Sequence, residues 1–254
     1  KRNLEHYRAE VAKSGSNDMQ PIVSAVTLTY LKEKPGWPQD KINFMYQLFD
    51  KYVDWLYKSK DKNKNGLVEY TNSFNSGTDD SPRFDGLFGD GHHIGVMQPV
   101  ESVEQNVWLS LMHHHLSEMA TMLGDKKASA KHLKKAATLE AKIEKSCWSE
   151  EDGFYYDVNA TTGKQIKVKV QFAFMAMFMK NAREDRMKRL ITEHLINPEE
   201  FWTTYPVPSV AMSEPAFTRK TMWRGPVWPN MNWLICRGLE EHGYKDIAKE
   251  IAVK

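Results

Sequence analysis

The sequence predicts an all-α fold whose helices lie in more than one layer, as in a concentric helical barrel. Three observations lead there. Apolar residues recur at i, i+3 and i+4 over most of the chain, and strand-type alternation is scarce. The stretch Val170 to Met179 is apolar on every side, as a helix covered all round by other helices must be.

The first helical pattern falls at 20–33. The second, at 42–59, places Met45, Leu48, Phe49, Tyr52, Trp55 and Leu56 on one face. Patterns at 102–123 (Trp108, Leu111, Met112, Leu116, Met119) and 127–147 (Ala136, Leu139, Ile143, Cys147) flank Gly124-Asp125, so these two helices are expected to form a hairpin. Further patterns cover 167–180, 184–195, 229–242 and 244–252. Three long irregular segments separate them: Lys60 to Pro99, Trp148 to Gly163 and Asn197 to Pro229. Loops of that length in a compact domain are functional or disordered. Their tryptophans, tyrosines and prolines argue for order, and Trp202, Trp223, Trp228 and Trp233 fall in the last loop and the helix it opens.

The chain has 254 residues, 41% of them apolar, with 35 basic and 33 acidic side chains. That suits one large domain. Mixed charge of this kind gives no electrostatic case for nucleic acid or an anionic membrane as partner. Two cysteines, Cys147 and Cys236, are too few for a disulfide framework or a zinc site. No apolar run spans a membrane and the first residues are a charged amphipathic stretch, so a cytoplasmic location is expected. Both ends fall inside helical patterns, as if the chain were cut there. Asn159-Ala-Thr161 is a formal glycosylation acceptor without weight of its own.

Two loop stretches carry chemistry. In Ser73 to Gly86, SFNSGTDDSPRFDG, Gly77, Pro82 and Gly86 forbid a regular element, yet the loop gathers Asp79, Asp80, Arg83 and Asp85. In Thr221 to Trp233, TMWRGPVWPNMNW, two tryptophans flank Arg-Gly-Pro-Val, Gly225 permits close backbone approach and Pro229 opens a helix. Indole faces stack on the C–H face of a pyranose while arginine and asparagine bind hydroxyls. The plainer alternative is that these tryptophans plug a helix end.

The stretches SGTDDSPRFD (76–85), GFYYD (153–157), FWTTYPVPSVAM (201–212) and WRGPVWPNMNW (223–233) together resemble the glycoside hydrolase family 63 type, near the mannosylglycerate and glucosylglycerate hydrolases and more distantly the trehalases. The resemblance runs from about Met19 to the end. It implies an (α/α)6 barrel, with residues 1–254 a partial catalytic domain incomplete at both ends, and hydrolysis of an α-glycosidic bond in a small glycoside or oligosaccharide with inversion. It implies Asp79 as general acid, Asp80 supporting the loop, and Arg83 paired locally with Asp85. Gln20 is the implied hydroxyl ligand, and Trp223, Arg224, Gly225 and Trp228 the pocket wall. Where relatives often carry tyrosine, this chain has Met222. The base, a glutamate in the family, is expected beyond residue 254; Glu69, Glu101 and Glu214 stand in no matching context. No cofactor and no metal is expected, and the oligomeric state is open. A non-catalytic carbohydrate-binding remnant of the fold and an oligosaccharide-trimming α-glucosidase are the alternatives.

Other suggestive runs have plainer readings. DKNKNG (61–66) begins like an EF-hand loop, but its twelfth position is Asn72, so a polar turn is expected. His113, His114 and His115 point in different directions on a helix; His115 falls on the apolar stripe and is expected in the core. His92-His93 lies in a glycine-rich loop without a cysteine nearby, and KHLKK (131–135) reads as a solvated helix face.

Overall fold

The computed structural model describes residues 36–89 and 94–254. The helical pattern at 20–33, with Gln20, and the pair His92-His93 therefore lie outside the described residues.

Helix α1 spans Gln39–Lys60, with Asp40 in its first turn and Lys58 and Lys60 in its last, charges that complement the helix dipole. It buries Ile42, Phe49, Val53 and Leu56. Helix α2, Val103–Met122, is capped by Ser102, whose Oγ accepts from the Gln105 amide at 3.3 Å. Helix α3, Lys126–Ser146, is capped by Asp125 accepting from the Ala128 amide at 2.9 Å. Gly124, at φ 78°, makes the reversal that turns α2 and α3 into the expected hairpin.

The all-apolar stretch is helical, but as a 3-10 helix over Gln171–Phe178, with all eight residues buried. An unbroken apolar run has no polar face from which to tell a repeat of 3.6 from one of 3.0. Helix α4, Glu184–Arg189, runs on into a π-helical turn, Leu190–Leu195. Helices α5, Pro229–Glu241, and α6, Lys245–Val253, complete the described helices. Glu140, buried on α3, accepts from Ser110 Oγ on α2 at 2.5 Å and from the Asn181 amide at 3.0 Å, fastening the end of the 3-10 element to the hairpin.

Short strands, which sequence periodicity misses, organise the loops. Strands β1 (Tyr70–Asn72), β2 (Val96–Glu101) and β5 (Val158–Asn159) form one antiparallel sheet in the order β1-β2-β5; β3 (Trp148–Ser149) pairs with β4 (Phe154–Tyr155). Tyr70 faces Val100, and Val100 faces Asn159. That register sets the loop after β1, the start of α2 and Asp157 side by side. Asn159 is nearly buried, its side chain donating to Gln98 Oε1 at 2.9 Å and accepting from the Thr161 amide at 3.0 Å. The formal glycosylation acceptor is thus part of the sheet.

The histidine run departs from expectation. His113, not His115, is fully buried, and His132 inside the KHLKK run is also fully buried. The helix phase puts the outer lysines in water and turns His132 back onto α2. Tyr57 hydroxyl and His113 Nε2 lie 3.2 Å apart, His113 Nδ1 and His132 Nδ1 3.1 Å, and His132 Nε2 and Tyr46 hydroxyl 3.1 Å. Burial, then the neighbouring His132, holds His113 down to about 3; burial also lowers His132, against the pull of Asp50. An unfolded histidine takes up a proton near its ordinary value of 6.5, and folded His113 does so only near 3. Stability from this chain of rings is therefore present above the unfolded value and lost as pH falls through that window. Urea midpoints should drop between about pH 7 and pH 5, with His113 contributing about 1 kcal/mol per pH unit. A midpoint unchanged over that range contradicts the buried neutral pair.

Candidate active site

The loop after β1 is built by its own small side chains. Asn72 Oδ1 accepts from the Phe74 amide at 3.0 Å and starts a 3-10 turn, Ser73–Ser76. Gly77 follows in the left-handed region at φ 68°, which a side chain would strain. Ser76 Oγ donates to the Ser73 carbonyl at 2.6 Å and accepts from the Thr78 amide at 3.0 Å. The Ser81 amide then donates to the Thr78 carbonyl at 2.9 Å, closing a turn with Asp79 and Asp80 at its two central positions. A second 3-10 turn, Pro82–Phe84, sends Arg83 inward.

Arg83 is fully buried. Its guanidinium donates twice to Glu104, at 2.7 and 2.9 Å, once to Asp157 Oδ2 at 2.9 Å, and once to Thr78 Oγ1 at 3.0 Å. Its carbon lies 4.7 Å from the Phe84 ring centroid and 4.8 Å from that of Phe172. The expected local pair with Asp85 does not form. The inward turn carries the guanidinium to two carboxylates that the sheet assembles, Glu104 just after β2 and Asp157 just before β5. Burial first, then Glu104, pushes the Asp157 carboxyl up to about 6 against the opposing pull of Arg83. Asp157 Oδ1 also accepts from the Val103 amide at 2.9 Å, so the same side chain caps α2.

The tryptophan turn comes to this loop by three links. The Trp223 amide donates to Asp80 Oδ1 at 3.1 Å. Arg224 donates through both Nη atoms to Asp85, Nη1 to Oδ2 at 3.0 Å. Phe172, against the Arg83 guanidinium, also touches Trp223, with ring centroids 5.9 Å apart. Trp223 and Trp228 stack at 4.2 Å with planes 6° apart, and Trp228 Nε1 donates to the Met222 carbonyl at 2.8 Å. Trp223 is 9% exposed, so it backs Trp228 instead of offering an open face. The Gly225 amide donates to Ser209 Oγ at 2.8 Å, and a Cβ on Gly225 would lie 2.3 Å from the Thr218 carbonyl oxygen. Close approach of two backbones is what glycine permits there.

A cleft of about 470 Å³ opens between the two segments, lined by Asp80, Asp85, Gly86 and Arg224. Asp79, half-buried and next to Asp80 on the turn, is not itself among the lining residues and has no hydrogen bond or ion pair among the described residues. Trp202 packs against the core, while Tyr205 is exposed. Sequence reasoning missed Glu104, Asp157 and Phe172. The signal was a charged pair flanking an apolar helix start and an aspartate closing GFYYD, neither decisive without the sheet.

The remaining carboxylates near the loops are engaged elsewhere. Glu69 Oε1 accepts from the Lys62 amide at 3.2 Å, Glu101 Oε1 from the Asn63 and Asn65 side chains at 2.7 and 2.6 Å, and Glu214 Oε1 from the Lys169 amide at 2.9 Å. In the EF-hand-like segment Asp61 Oδ2 accepts from the Gly66 amide at 3.1 Å, and the Lys142 ammonium donates to the Asn65 carbonyl. The loop's asparagines thus divide their side chains between its own backbone amides and Glu101.

Breaking one partner of a buried ion pair strands the others. Arg83→Met should therefore cost about 3–5 kcal/mol in urea unfolding, whereas Asp85→Asn, at an exposed pair, should cost no more than about 1 kcal/mol. Equal small losses for both contradict the anchoring role of Arg83. Gly225→Ala should cost at least about 1 kcal/mol and disturb the near-ultraviolet tryptophan signal.

The geometry can be set beside known proteins. The family model described as "Mannosylglycerate hydrolase MGH1-like glycoside hydrolase domain" matches residues 4–254. An uncharacterized protein of Borreliella burgdorferi is 30% identical over 220 residues, 84% of this chain and 42% of that protein. A mannosylglycerate hydrolase of Thermus thermophilus is 24% identical over 298 residues, 96% of this chain and 69% of the relative. The crystal structure of a family 63 mannosylglycerate hydrolase from Thermus thermophilus in complex with Tris and D-glycerate superposes with a TM-score of 0.79 at 22% identity, over 94% of this chain and 68% of that one. The helical fold is thus of the (α/α)6 type. This chain spans between about two fifths and two thirds of these relatives' lengths. The loop, the tryptophan turn and the match over nearly every residue lead to one conclusion: the chain belongs to the mannosylglycerate hydrolase MGH1-like glycoside hydrolase domain family.

Proposed function

We propose that this domain hydrolyses the α-glycosidic bond of a small glycoside with inversion at the anomeric carbon, and that Asp79 is its general acid. One observation carries the reading. Of the carboxylates on the loop, Asp80 is held by the Trp223 amide and Asp85 by Arg224, whereas Asp79 has no partner among the described residues and stands on a turn fixed from both sides.

Cleavage needs a proton at the leaving oxygen as the C–O bond breaks. An acid on a braced turn can be held at that oxygen without reorganising when the sugar arrives. Inversion also needs a second carboxylate roughly 6.5 to 9.5 Å away, to deprotonate the water attacking the opposite face. Every other carboxylate around the cleft is committed to a hydrogen bond described above, so the base is assigned outside the described residues. Trp228, with Trp223 behind it, offers the apolar face of the sugar site, and Gly225, buried against the Thr218 backbone, seats the turn that carries both rings. Arg224, held flat by Asp85, can turn N–H groups to hydroxyls, and Gln20 is proposed as a further hydroxyl ligand. The names of the relatives make glycosides of glycerate the first substrates to try.

Asp79→Asn in the complete protein should lower turnover by about 10²- to 10⁴-fold with little change in the unfolding midpoint. Near-normal turnover removes Asp79 from the role. Trp228→Ala should raise KM more than it lowers kcat, measured over mannosylglycerate, glucosylglycerate, trehalose and short α-glucans.

A further inference from the structure

On the outer side of the α1–α3 contact lies a groove of about 670 Å³ that takes no part in the site above. Its α3 wall carries Lys131, Lys134, Lys135 and Lys142, with Thr138 and Leu139 between them. These positions are i, i+3, i+4, i+7, i+8 and i+11, one continuous helix face. Like charges three and four apart weaken a helix, so a free surface helix gains nothing from this pattern. The opposite wall, from α1, adds Lys58 and only one carboxylate, Asp54, whose contact with Lys135 is 3.8 Å. The whole of α3, KKASAKHLKKAATLEAKIEKS, holds seven lysines against two glutamates, and Glu140 is buried on its other side.

The floor is apolar and fixed. Tyr57 lies between the walls, with the Lys135 ammonium 5.7 Å from its ring centroid and its hydroxyl bonded to buried His113. Leu139 is buried beneath it. A concave surface lined by five lysines against one carboxylate, over a low-dielectric floor, concentrates its field and collects counter-ions. That field reaches the core, since Lys135 and Lys131 both contribute to holding His113 neutral. The volume suits a small organic ligand and is far below the extended track that a nucleic-acid strand needs.

We propose that this groove is a binding site for a small phosphate-bearing anion, its phosphate held by the α3 lysines and its organic part resting on Tyr57 and Leu139. The site is separate from the proposed sugar cleft, so its test does not depend on turnover.

Titrate the protein with inorganic pyrophosphate and with glucose 6-phosphate, following heat release and the tyrosine and lysine NMR signals, at about 50 and 200 mM salt. Saturable binding that weakens at the higher salt and falls at least tenfold in Lys131→Gln/Lys134→Gln/Lys135→Gln is expected, with the unfolding midpoint of the variant equal to or above that of the parent. Tyr57→Leu should weaken glucose 6-phosphate more than pyrophosphate. Absence of saturable binding by either probe overturns the proposal, as does binding that the triple variant leaves intact. Binding confined to duplex DNA or to phosphatidylserine vesicles, with neither small anion competing, likewise overturns it in favour of an extended basic surface.

Discussion

A single buried cation organises this molecule. The Arg83 guanidinium has left water completely, and the cost of burying its charge is offset by Glu104, Asp157 and Thr78, which accept from its two Nη atoms while two phenylalanine rings close its faces. Each partner comes from a different part of the chain. Thr78 belongs to the loop, Glu104 to the first turn of α2, Asp157 to the approach to β5, and Phe172 to the 3-10 element. None can shift without stranding charge in a low-dielectric interior, where an uncompensated group costs several kcal/mol. The loop is therefore held at the junction of four elements by electrostatics that tolerate little movement.

From that anchor the order of the site follows outward. Phe172 hands the contact to Trp223, Trp223 stacks on Trp228, and Trp228 opens α5. Asp80 and Asp85 close the circuit by gripping the Trp223 amide and the Arg224 side chain. The loop's charges thus divide by depth. Arg83 builds the foundation, Asp80 and Asp85 fix the rim to the tryptophan turn, and Asp79 keeps no hydrogen bond or ion pair among the described residues. Rigid support beneath a few exposed polar groups is the general condition for placing a reacting atom accurately.

Elsewhere the helices use buried polar groups to set their packing. Glu140 ties the α2–α3 hairpin to the end of the 3-10 element, and the Tyr57–His113–His132–Tyr46 chain ties the hairpin to α1. Neutral imidazoles suit this place because they offer one donor and one acceptor without a charge to solvate. On the water side of the same contact the lysines of α3 gather around Tyr57. One helix thus presents a hydrogen-bonded face inward, carrying His132 and Glu140, and a strongly basic one outward.

Much was legible in the sequence by itself. Apolar spacing determined α1, α2, α3, α5 and α6 to within a few residues, because a helix facing a core must repeat every 3.6 residues. Gly77, Pro82, Gly225 and Pro229 determined that the two motif stretches are tight turns, because backbone torsions are a local property. What the tertiary structure alone decided were partnerships. Arg83 took Glu104 and Asp157 instead of Asp85, His113 and His132 went inward in place of His115, and two- and three-residue strands formed where no alternation marked them. An ion pair or a short strand depends on which distant groups arrive beside it, and electrostatic and hydrogen-bond energies fall away over a few ångströms. Spacing along the chain carries no record of that arrival until the fold brings the partners together.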